Sequence, residues 1–150
     1  MNKLKTIIIL AFSFLMDLLG ILAVPVLLMV GCNVIDYITG LAASKYRKER
    51  MNSYKGIRGI IKKVCMWLLV LIGSWIDMLI NYAATYMDIG IKIPFIVATV
   101  VCVWIIVNEI ISILENMMDI GVDMPPFLMP LVKRIKSGVE HITENGEEHS

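Results

Sequence analysis

Charge is missing altogether from the fourteen residues Pro94 to Val107, and the 150-residue chain has only two histidines and three cysteines. Each shortage excludes something. His141 and His149 lie near the C-terminal end with no cysteine beside them and no ligand spacing, so neither a metal nor a cofactor is expected. Cys32, Cys65 and Cys102 sit in or beside apolar runs without a Cys-x-x-Cys spacing. They read as small buried hydrophobes rather than a disulfide framework. Gly56-x-x-Gly59 is too little for a phosphate loop, and no nucleophile–base arrangement stands out. Catalysis is not expected.

The scarcity of charge reaches furthest. Charged residues make up 18% of the chain and apolar ones 58%, with a mean hydropathy of +0.77. A soluble domain has about 25% charged and about 45–50% apolar residues. The apolar excess is gathered in long runs that a water-soluble core does not need. The composition therefore describes an all-α integral membrane protein.

Three segments reach the roughly 20 apolar residues that a helix needs to cross a hydrocarbon layer about 30 Å thick. They are "LLGILAVPVLLMVGCNVI" (Leu18–Ile35), "VCMWLLVLIGSWIDMLINY" (Val64–Tyr82) and "IPFIVATVVCVWIIVNEIISIL" (Ile93–Leu114). The expected organisation is an apolar leader over 1–17 and a transmembrane domain over 18–123. Its spans cover about 18–43, 64–82 and 93–116, and an amphipathic helix with an acidic tail follows over 124–150. The leader "MNKLKTIIILAFSFLM" is too short to span. It resembles a secretory signal without the small residues of a cleavage site, so a retained interfacial helix is expected. If Lys3 and Lys5 hold the N-terminus inside, residues 6–43 must instead form a hairpin of two short spans, making four in all.

The net charge of +1 hides an asymmetry. Lys45, Arg47, Lys48, Arg50, Lys55, Arg58, Lys62 and Lys63 crowd one loop against Glu49 alone. Translocating eight cations is unfavourable, so this loop is expected to be cytoplasmic, along with the C-terminus. It also suits the anionic lipid of an inner leaflet, at about 1 kcal/mol per cation. Nucleic acid is not an expected partner, because no fold motif or aromatic platform accompanies the charge. Beyond the third span, "GVDMPPFLMP" marks a break with Gly121 and three prolines. Leu128, Leu131, Val132, Ile135, Val139 and Ile142 then recur with the period of an amphipathic helix, suited to the inner membrane surface or to a sister chain.

Polar residues inside the spans are the candidates for function. Asn33, Asp36 and Gly40 share one helical face with Thr39 beside them. Asn108, Ser112 and Glu115 form a row on the third span, and Glu109, Ser112 and Asn116 a neighbouring row. Glu115, Asn116 and Asp119 also suit a helix end dipping into the headgroups. Asp36 and Glu109 fall deeper, where a carboxylate costs on the order of 2.5–3.5 kcal/mol and needs a partner. Arg58, Lys62 and Lys63 are the nearest cations. Asp77 reads as a polar contact at the outer end rather than a pore lining.

Two stretches carry a family resemblance. "VIDYITGLAASKYRKERMNSYKGIRGIIKKV" (Val34–Val64) resembles the signature of the phage-lysis and toxin-secretion holins: Asp-x-x-Thr-Gly-x-x-x-Ala, a basic turn, then Ser-x-x-Gly-x-x-Gly and a lysine pair. "NEIISILENMMDIGVDMP" (Asn108–Pro125) is similar to that family's second block. The resemblance spans roughly Met16 to Leu131. Its matching positions are Asp36, Thr39, Gly40, Ser53, Gly56, Gly59, Lys62, Lys63, Asn108, Glu109, Ser112, Glu115, Asn116 and Gly121, none of them an established catalytic residue in the family. Asn52-Ser53 departs from the two serines often found there, and the apolar leader is unusually long. The resemblance implies a homo-oligomer of the bacterial cytoplasmic membrane whose lesions release an endolysin or a large exported toxin. Small and polar residues hold helices together in lipid, so the polar faces read as places where helices meet. Alternative readings are an antiholin, a membrane scaffold docking another protein, or a small-ion channel.

Overall fold

The computed structural model describes residues 3–47, 53–90 and 94–144, and these contain helices and no strand. Helix α1 is Lys3–Leu19, α2 is Ala23–Tyr46, α3 is Ser53–Tyr86, α4 is Ile96–Ile120 and α5 is Leu128–Glu144. Three stretches, Gly20–Tyr46, Gly56–Tyr86 and Ile96–Ile120, are long and apolar enough to cross a membrane. This is an all-α, multi-pass membrane protein.

Each span carries a seam with the 3.5-residue period of helices that pack side by side. On α2 the seam is Met29, Asn33, Asp36, Gly40 and Ala43, with Leu22 and Val26 leading into it. Lys63, Met66, Val70, Gly73 and Asp77 form the seam of α3. Ala98, Cys102, Ile105, Glu109, Ser112 and Asn116 form that of α4. Met29, Val70, Cys102 and Ile105 close into one apolar cluster, so all three spans meet there. Away from these seams, and from the side of α4 that α5 covers, the spans are largely apolar and exposed, as lipid-facing surfaces should be.

α4 is the spine, packing against α2, α3 and α5. Its far end sets α3 close: a Cβ on Gly73 would lie 3.0 Å from the Ala98 Cα. Its other end stops at Gly121, whose φ of 93° lies in the left-handed region. There the Gly121 N–H donates to Met118 (2.9 Å) and the Val122 N–H to Met117 (3.0 Å), the paired bonds of a Schellman motif.

Two boundaries differ from the sequence reading. α3 begins at Ser53, because Ile57, Ile60, Ile61 and Val64 keep the helical register through Gly56 and Gly59. Lys55, Arg58, Lys62 and Lys63 are therefore helical rather than in a loop, and Lys45 lies in the last turn of α2. Lys48 and Arg50 fall outside the described residues. Pro130 does not stop a helix; it occupies the first turn of α5, where a missing N–H is harmless.

α1 leaves the bundle at Gly20, where a φ of 51° turns the chain before α2. Its Leu4, Ile8, Leu10 and Phe14 are exposed. Its 17 residues extend about 25 Å.

Candidate functional site

The site is a charged cluster built where the three seams turn polar. Lys63 of α3 donates to Asn33 Oδ1 (3.1 Å) and Asp36 Oδ2 (2.8 Å) on α2, and to Glu109 Oε2 on α4. That uses all three ammonium protons. Asn116 extends the network by donating to Asp36 Oδ1 (3.2 Å) and Thr39 Oγ1 (3.4 Å). Asn33 donates to the Met29 carbonyl (2.9 Å) one turn back. Gly40 leaves room for Asn116, whose Nδ2 lies 3.5 Å from where a Cβ would sit. Among the described residues, every buried side-chain nitrogen and oxygen has a partner.

A second polar device lies toward the other end. Asp77 is 1% exposed, and its two oxygens accept the backbone N–H groups of Val97 (3.0 Å) and Ala98 (2.8 Å). The first N–H groups of a helix have no partner inside it, and lipid supplies none. A carboxylate from a neighbouring helix thus caps α4 and also meets the positive end of its dipole. Asp77 is an interhelical cap.

Lys63 and Asp77 are 14 residues apart on α3, about 21 Å along the axis. With Asp77 at one edge of a hydrocarbon layer about 30 Å thick, Lys63 lies roughly 9 Å inside the other. In that placement each charge of the cluster needs the partners it has. Replacing a paired charge with nothing is costly at such a place, about 3–5 kcal/mol when one partner of a buried pair is removed.

The structure gathers Asn33, Asp36, Thr39, Gly40, Glu109 and Asn116 around Lys63. Asn108, Ser112 and Glu115 stand beside the cluster rather than among the partners of Lys63. Asn108 donates to the Trp104 carbonyl (2.8 Å). Together with Gly59, Lys62 and Lys136, these residues border a crevice of about 460 Å³ beside the cluster. Lys45, Arg58 and Lys62 are exposed. Arg47 pairs with Asp119 at 2.5 Å, tying α2 to α4 at the basic end. Both are about two-fifths exposed, so this pair contributes under about 1 kcal/mol.

α5 folds back along α4. Val132 is buried in a cluster with Val107 and Leu114, flanked by Leu128 and Met129. Val139 borders a cavity of about 250 Å³ with Leu69 and Val100, and the Trp104 indole donates to Glu140 (3.4 Å). Leu131 and Ile135 remain half exposed. Ile142 belongs to α5, with its side chain outside the described detail. This placement lays Lys133, Arg134 and Lys136 beside the middle of a span, where a cation facing lipid costs about 2.5–3.5 kcal/mol.

Gly73 and the role of Lys63 were not singled out from the sequence. One signal carries both: Lys63, Gly73 and Asp77 share a single 3.5-period stripe with Met66 and Val70.

Comparisons with known proteins place this bundle. No solved structure matches it. An uncharacterized protein of Listeria monocytogenes is 36% identical over 99 residues, covering 66% of this chain and 62% of the relative. The chain thus spans less than two thirds of that relative's length. A probable holin of Bacillus phage phi105 is 32% identical over 121 residues, 81% of each chain. An uncharacterized protein of Clostridium perfringens is 29% identical over 113 residues, 75% of this chain and 76% of its own. The bacteriophage holin family matches residues 13–137, which include every span, the charged cluster and the first part of α5. With that match over most of its length, this chain belongs to the bacteriophage holin family.

Proposed function

We propose that this protein self-associates in the bacterial cytoplasmic membrane and opens lesions large enough to release an endolysin or another large exported protein. The observation that carries the reading is the Lys63–Asp36–Glu109 cluster inside a bundle with an apolar outer surface. Such a subunit inserts stably as a closed unit and still holds charge at depth. In an assembly, regrouped helices can turn that charge and the adjoining crevice toward water. Likeness to the probable holin of phage phi105 supports the same direction. The basic end, with Lys45, Arg47, Arg58 and Lys62, faces the cytoplasm in this reading and rests on anionic lipid. Lesion opening needs no catalytic step from the chain.

Inducible expression beside a cytoplasmic muralytic enzyme tests it. The expected outcome is sudden lysis after a delay, dependent on both proteins. A muralytic enzyme that stays inside the cells at high membrane levels of this protein overturns the reading. Copurification with a different chain and no lysis would favour an antiholin or scaffold.

A further inference from the structure

The placement of α5 is the feature that family membership leaves unexplained. Its inner side, Leu128, Met129, Val132 and Val139, lies on α4 between the levels of Leu114 and Val100. Lys136 enters the crevice that holds Glu109 and Ser112. The opposite side, with Lys133, Arg134 and Ser137, is exposed at that same depth. Lipid against this side would leave two cations in hydrocarbon, and the packing of one fully buried valine does not offset that. Docked here, the outer side of α5 needs water. The connection 122–127, which contains Pro125 and Pro126 and follows the left-handed Gly121, lets α5 leave the bundle without disturbing α4.

We propose that α5 is the water-facing wall of the opening: docked on α4 as seen here, it turns Lys133, Arg134 and Ser137 toward the aqueous passage, while Lys136 borders the crevice of Ser112 and Glu115. In a lone subunit surrounded by lipid, α5 lies out on the membrane surface. The inference rests on the lesion reading above and adds which element meets the water and in which position.

The test pins α5 in place. In a parent whose Cys32, Cys65 and Cys102 are replaced, Val107→Cys and Val132→Cys are joined in membranes by a short, reducible bis-thiol crosslinker. The pinned protein is expected to release a co-expressed muralytic enzyme within twofold of the unpinned protein. Release that falls more than tenfold and returns on reduction overturns the proposal, because the docked position would then be the closed one. Absence of crosslinking, with both single-cysteine variants present in the membrane, also overturns it. A second variant removes the polar side: Lys133→Leu, Arg134→Leu and Ser137→Leu together should lower release at least tenfold at unchanged membrane levels. Unchanged release from that variant contradicts the proposal. A cysteine-free parent that inserts but releases nothing sinks the lesion reading itself, which separates the two failures.

Discussion

Lys63 has three partners on two other helices, so its loss should be felt by the whole bundle. Lys63→Met leaves Asp36 and Glu109 facing each other without a cation. It is expected to cost about 3–5 kcal/mol, read as a lowered unfolding midpoint in detergent. Adding Asp36→Asn and Glu109→Gln should restore most of the loss; a triple variant as unstable as Lys63→Met would contradict the role assigned to the cluster. Asp77 makes a second prediction at this scale. Asp77→Ala abandons two backbone N–H groups at the start of α4, at about 1.5 kcal/mol each, whereas Asp77→Asn keeps an acceptor and should lose about half as much. Equal losses for the two would argue against capping. The polar face of Asn33, Asp36 and Gly40 was legible from spacing alone. The choice of Lys63 over Arg58 and Lys62 was not, because it depends on which side of α3 turns to α4, and apolar residues surround that helix on every side.

Among the elements, α4 was the most legible and α3 the least. Pro94, at the head of a charge-free run, and Gly121, just past the last turn, mark α4 from both ends. The start of α3 is hidden by its cations, which read as a loop until their apolar neighbours are counted in register. The α3–α4 contact yields a contrast between glycines. Gly73→Leu places a side chain against the Ala98 backbone, already 3.0 Å from a bare Cβ, and should separate the helices. Gly40→Ala meets only the Asn116 side chain at 3.5 Å and should change stability by less than about 0.5 kcal/mol. Unfolding midpoints of the two variants check this; similar midpoints would contradict the close approach at Gly73. The amphipathic period of α5 was plain, yet its docking was not, since a periodic stripe states only that something apolar covers it.

At the scale of the whole molecule, three apolar spans enclose a charge cluster at depth, and a polar helix lies along their spine. The seams at 3.5-residue spacing are in the sequence, but the pairing of Lys63 with Asn33, Asp36 and Glu109 across them is not. Under the proposed function, the charge cluster enclosed by the three spans meets water only after many helices regroup. Small-ion channels and protein-sized openings part company at that point. Purified protein in liposomes of anionic phospholipid, loaded with fluorescent dextrans of graded size, separates them. Release of dextrans as large as a folded enzyme, all sizes together and above a threshold protein density, is the predicted result. Passage of ions with full retention of every dextran would contradict the account.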